Sequence, residues 1–141
     1  MQARAGVIGG VIGGIIKLII DQLTYAVGIS SVDTVREFSQ FLFGIRQMNV
    51  AICIVYLIAT GLAGWFISSL ISDSKKYVSW GIASGVLFWV FMNFVILASA
   101  KVTPTWSMGA GGFIINLISH IILGLSITIT IKCFNKKKAE S

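Results

Sequence analysis

The sequence predicts an all-α integral membrane protein: a bundle of four transmembrane helices, with a short amphipathic helix between the first two. Three observations predict it. Of 141 residues, 56% are hydrophobic and only 11% charged, against about 25% charged in an ordinary soluble domain. Four runs each reach the roughly 20 apolar residues that a helix needs to cross a hydrocarbon core of about 30 Å. The breaks between the runs are mostly short and polar, and with one Pro and no linker-like tract the chain reads as a single membrane domain, 1–141.

The spans are expected at about 5–28, 48–71, 77–99 and 108–132. Ser72, Asp73, Ser74, Lys75 and Lys76 form a tight polar turn between the second and third. The segment 101–107, with Pro104 inside it, turns the chain between the third and fourth. Only 30–47 is a longer connection. There Val32, Val35, Phe38, Leu42 and Ile45 recur at helical spacing, with Asp33, Arg36, Glu37 and Gln40 mostly elsewhere. That pattern reads as an amphipathic helix lying on the membrane surface, N-capped by Ser30 or Ser31. The alternative is a simple extension of the second span.

An even number of spans puts both termini on one side. That side collects Arg4, Lys75, Lys76, Lys132, Lys136, Lys137 and Lys138, and the other only Arg36, Arg46 and Lys101. The positive-inside rule therefore places both termini in the cytoplasm of an inner-membrane protein. Most of the net charge of +6 is thereby topological, with attraction to anionic lipid, and does not point to nucleic acid. Tyr77, Trp80 and Trp106 are placed like interfacial aromatics. An N-terminal signal peptide ending at Ala26-Val27-Gly28 is disfavoured, because Lys17 and Asp21 interrupt its apolar core. Cys53 and Cys133 fall at opposite ends of different spans and are expected as free thiols.

The first span carries overlapping small-xxx-small spacing in Gly6, Gly10, Gly14 and in Gly9, Gly13. Such glycines let a second helix approach the backbone closely, within the chain or between copies. A phosphate-binding loop is excluded, since no Gly-Lys-Ser/Thr follows a strand. Gly10, Gly13, Lys17, Asp21, Thr24 and Gly28 share one face. A charge at the centre of a membrane helix costs about 2.5–3.5 kcal/mol on insertion scales, so Lys17 and Asp21, one turn apart, are expected to neutralise each other or to be completed by another helix.

The fourth span offers the partner stripe: Gly109, Gly112, Asn116, His120, Gly124 and Thr128. Counting about 1.5 Å of rise per residue brings Asp21, Asn116, His120, Asn93 of the third span and Tyr56 of the second to one depth, with Lys17 just below. These six are the candidate intramembrane polar or ion-handling residues. Gly6, Gly9, Gly10, Gly13, Gly14, Gly112 and Gly124 are the candidate packing residues. One His, two distant Cys and one nearby carboxylate do not make a metal set, and no nucleophile–base pair or cofactor motif stands out. The chain is read as a non-enzyme.

The glycine-rich first span ending in Lys17, the run from Gly81-Ile-Ala-Ser-Gly85 to Lys101-Val-Thr-Pro104, and Ser119-His120 resemble the YagU-like small inner-membrane proteins. The resemblance covers most of the helical chain. It implies an inner-membrane four-helix protein without an assigned substrate, and carries over Lys17 and His120 as positions of interest.

Two functions follow as expectations. The first is a structural or accessory membrane protein that self-associates or joins a larger membrane complex through glycine-rich faces. The alternative is a proton- or ion-handling channel or transporter that uses the Lys-Asp-His-Asn layer. No inverted repeat is visible within the chain.

Overall fold

The computed structural model describes residues 2–71, 76–99 and 101–139. It is helical, with no strand among these residues. Helix α1 spans Gln2–Ala26, α2 Thr34–Phe43, α3 Val50–Leu70, α4 Tyr77–Ser99 and α5 Gly109–Ala139, with a single 3-10 turn at Thr105–Ser107 before α5. Helices α1, α3, α4 and α5 are each long and apolar enough to cross a membrane. The polar turn expected between α3 and α4 falls on 72–75, outside the described residues.

The third span coincides with its expected bounds, and the others shift. Helix α1 begins earlier and stops at Ala26, because Gly28 adopts φ +75°. The amides of Ile29 and Ser30 then fold back onto the Thr24 carbonyl, a left-handed ending that glycine permits at little cost. Helix α3 begins at Val50 because the Asn49 side chain caps it, accepting from the Ile52 amide at 3.0 Å. Helix α5 continues past 132 to Ala139, since neither Gly nor Pro stops it.

The long helices stand in a row, α3–α1–α5–α4. Helix α1 packs between α3 and α5, and α5 between α1 and α4, while α3 and α4 scarcely meet. Glycine sets this order. A Cβ at Gly10 would fall on the Thr60 carbonyl, and one at Gly64 on the Gly6 carbonyl, so α1 and α3 touch backbone to backbone. On the other face of α1, Gly9 and Gly13 lie against Ile127 and Leu123 of α5. Gly124 of α5 in turn meets the Gly81 carbonyl of α4. Both glycine faces of α1 are thus occupied within the chain. In a bilayer, where apolar burial gives no drive between helices, close packing of this kind is what holds them together. A cluster of Ala5, Ile67, Ile71, Leu123, Ile127 and Ile131 fills the end of the row nearest the N-terminus of α1.

Helix α2 departs from expectation in two ways. Its N-cap is Asp33, not Ser30 or Ser31: the Asp33 carboxylate accepts from the Arg36 amide at 3.1 Å. Ser30 instead accepts from the Val32 amide, and Ser31 donates to the Met108 carbonyl at 2.6 Å. Nor does α2 simply lie on a surface. Val32, Val35 and Ser39 are fully covered, and Phe38 stacks edge-on with Tyr56 of α3, ring centres 5.3 Å apart. The five-residue apolar spacing fits a docked face as well as it fits a lipid-facing one. Gly44, at φ +71°, ends the helix. Trp106 is likewise part of an aromatic cluster, edge-on to Trp89 and Phe94.

Candidate functional site

Lys17 projects from the middle of α1, and Asp21 follows one turn later. Both are 2% exposed. Lys17 Nζ donates to Asp21 Oδ2, forming the intrahelical ion pair that the spacing predicts. It also donates to the Ser119 hydroxyl of α5 at 3.1 Å. Asp21 Oδ2 accepts a second bond, from the Thr34 hydroxyl at the start of α2, at 2.6 Å. Helices α5 and α2 therefore complete the pair that α1 presents. Asp21 Oδ1 is buried without a hydrogen-bond partner. An ion pair in this setting gains from such added hydrogen bonds and not from the Coulomb attraction alone, because desolvation offsets much of the attraction.

A second cluster stands beside it. Asn93 of α4 accepts through Oδ1 from the Thr105 amide at 2.7 Å and the Thr105 hydroxyl at 2.8 Å, and donates to the Trp89 carbonyl at 2.8 Å. The same Thr105 hydroxyl lies 3.3 Å from Asn116 Oδ1 of α5. The two clusters join through α5. Ser119 donates to the Asn116 carbonyl at 3.0 Å, and His120 Nδ1 sits 2.7 Å from the same carbonyl. A carbonyl only accepts, so Nδ1 carries the proton, and in the neutral ring this tautomer leaves Nε2 as an acceptor.

Five of the six polar residues expected at one depth line one cavity, which Asp21 does not, and they do not form one hydrogen-bonded layer. Among the described residues no hydrogen bond runs from Asp21 to Asn116 or His120; the path from Asp21 to Asn116 runs through Lys17 and Ser119. What brings the residues together is a shared cavity. It measures about 200 Å³ and lies in the cleft that the row leaves between α3 and α4, with Lys17, Tyr56, Asn93, Asn116 and His120 on its polar side. Helix α2 roofs it with Thr34, Glu37, Phe38 and Phe41.

Sequence reasoning did not find Thr34 and Thr105 and gave Ser119 no role. Ser119 had a usable signal, lying one turn from Asn116 on the stripe of α5. Thr34 and Thr105 had none in helical periodicity, because both come from connections that fold inward. Of the packing candidates, Gly112 faces the connection after α1, near Ser31 and Val32, rather than a long helix.

Outside the spans, Glu37 of α2 takes a 2.6 Å bond from Arg46. Burial nonetheless holds its carboxyl above the usual 4.5, against the lowering pull of Arg46, with Asp33 adding to the rise. Cys53 and Cys133 are unpaired. Among the described residues no three His, Cys, Asp or Glu side chains group as a metal site.

The chain has relatives among curated proteins. The chain is 30% identical over 106 residues to the large-conductance mechanosensitive channel of Pasteurella multocida, a match covering 75% of this chain and 77% of that protein. It is equally identical, over 106 residues, to the large-conductance mechanosensitive channel of Histophilus somni, covering 78% of it. The chain belongs to the large-conductance mechanosensitive channel family. No family model and no solved structure matches it. These relatives are named as channels, and the four long apolar helices of this chain are of a length and composition to contact lipid.

Proposed function

We propose that the chain is a subunit of a tension-responsive membrane channel in the bacterial inner membrane, with both termini cytoplasmic. The observation that carries this reading is the likeness to proteins named as mechanosensitive channels, which spans three quarters of both chains. The helix row supports it. Contacts α3–α1, α1–α5 and α5–α4 are backbone-close, whereas α3 and α4 face each other across a cleft. Lateral tension acts on the softest contact, and that contact is the cleft. A single copy offers its polar groups only a pocket of about 200 Å³, too small for a wide pathway, so conduction requires several copies.

Reconstitution in liposomes, with suction applied to excised patches, tests this reading. Stepwise openings that rise with tension are expected. Folded, incorporated protein that stays silent up to membrane rupture overturns it. A structural or accessory role is the second reading, favoured by the Lys17–Asp21 pair that Ser119 and Thr34 tie across helices and by glycine faces already used inside the chain. The YagU-like resemblance, resting on Lys17 and His120, belongs with that reading.

A further inference from the structure

We infer that the cleft between α3 and α4 binds a single-chain amphiphile whose head is an uncharged carboxylic acid, a medium-chain fatty acid in its protonated form. The inference does not depend on the channel reading.

The argument starts from unused hydrogen-bonding capacity. Lys17 has three N–H bonds; two go to Asp21 and Ser119, and the third has no partner among the described residues. The Asn116 amide lies 3.3 Å from the Thr105 hydroxyl, whose one proton goes to Asn93 at 2.8 Å, so at least one Asn116 N–H remains for the cavity. The Tyr56 hydroxyl makes no hydrogen bond among the described residues. Lys17, Tyr56 and Asn116 are 2%, 7% and 5% exposed, and all three line the cavity. His120, on the same lining, presents Nε2 as an acceptor. The floor therefore offers several donors and one acceptor.

These groups open onto the cavity, and an occupant that covers them without giving them partners is costly, so the occupant that fits must answer both kinds. A protonated carboxylic acid does so with two oxygens on one carbon. Its carbonyl accepts from Lys17, Asn116 or Tyr56, and its hydroxyl donates to His120. An ionised carboxylate would be a second anion beside Asp21, whose one countercharge, Lys17, is already engaged. A quaternary ammonium head has neither a donor nor an acceptor.

The walls select the tail. Ala59 and Ala63 of α3 face Phe88, Met92 and Ile96 of α4. At about 200 Å³ the cavity exceeds the roughly 150 Å³ of a dry cavity that admits benzene. It seats the head and the first methylenes, and the rest of the chain leaves between α3 and α4, where no close helix contact closes the cleft.

The test measures equilibrium binding of carboxyl-labelled decanoic acid to the full chain in nanodiscs, with empty discs as the partition background. Decanamide, which keeps one acceptor and one donor at every pH, and decyltrimethylammonium, which keeps only the tail, are run beside it. One saturable site per chain is expected for the acid and the amide and none for the ammonium. Tyr56→Phe should weaken the acid by roughly two- to tenfold, the range of one lost hydrogen bond. Ala63→Phe and Met92→Trp, which fill the cleft from opposite walls, should each abolish the site while far-UV circular dichroism stays unchanged. Binding no greater than in empty discs, equal binding of the ammonium, or a site that survives both fillers overturns the inference. Because binding is read without tension or conductance, its failure is separate from failure of the channel reading.

Discussion

Lys17 Nζ on α1 and the Ser119 hydroxyl on α5 lie 3.1 Å apart, 102 residues distant in sequence and both almost wholly buried. This bond turns a local i, i+4 ion pair into a link between two helices, and Thr34 extends the link to α2. Removing one partner of such a pair strands the other charge. Lys17→Met should therefore destabilise the protein by about 3–5 kcal/mol. The double variant Lys17→Met, Asp21→Leu should recover most of that loss, because apolar replacement of a whole buried pair is often neutral. Thermal or SDS unfolding in detergent, analysed as a double-mutant cycle, measures this. Additive single effects would show that the two charges do not depend on each other.

The glycine faces of α1 make a prediction about the fold rather than about assembly. Any side chain at Gly10 meets the Thr60 carbonyl, and at Gly64 the Gly6 carbonyl. In neither case is the neighbour a flexible side chain that can move aside, so α1 and α3 must separate. Gly64→Ala is expected to lower the unfolding midpoint clearly. Gly44→Ala, where only the left-handed backbone is at stake and nothing lies within 4 Å, should cost about 1–2 kcal/mol. If light scattering instead showed Gly64→Ala changing the oligomer mass with the midpoint unmoved, the face would be an intersubunit contact.

The sequence made the four spans legible because length and apolarity alone decide them, and it placed the ion pair because i, i+4 spacing is a property of one helix. Depth counting put Tyr56, Asn93, Asn116 and His120 in one group, and these four line one cavity. It could not say which of them touch, since rise along an axis carries no information about rotation or neighbour order. The row α3–α1–α5–α4 is set by which glycine meets which carbonyl, and the glycine pattern of α1 alone fits partners inside or outside the chain. Thr34 and Thr105 were invisible for another reason: they belong to connections, where no periodicity marks an inward-facing residue. The amphipathic pattern of α2 was read as lipid-facing because a hydrophobic stripe does not reveal what covers it.

Thr105 links α4 and α5 through Asn93 and Asn116. Thr105→Val keeps the shape and the amide bond to Asn93 while removing the hydroxyl. Interhelical hydrogen bonds in membranes average about 0.6 kcal/mol and reach about 1.7. With the one hydroxyl proton lost to both Asn93 and Asn116, a destabilisation of about 0.6–1.7 kcal/mol is expected, larger than for Ser126→Ala, whose hydroxyl donates within its own helix to the Ile122 carbonyl. Equal effects in the unfolding assay would mean that the Thr105 hydroxyl contributes no interhelical link.

Glu37 gives α2 a pH dependence of definite sign. Burial raises its carboxyl above 4.5, and the Arg46 bond only partly opposes this. A group whose pKa is higher when α2 is docked holds its proton more tightly in the docked state. Docking is therefore strongest below 4.5 and weakens as pH rises through the raised value. Glu37→Gln removes the titration and loses one ion pair to a half-exposed Arg46, which contributes little. Hydrogen exchange of the α2 amides, corrected for the intrinsic pH dependence of the chemistry, should show protection falling from acid toward neutral pH in the native chain and remaining flat in Glu37→Gln. Protection that instead falls toward acid would mean that the Arg46 bond outweighs burial at this carboxyl.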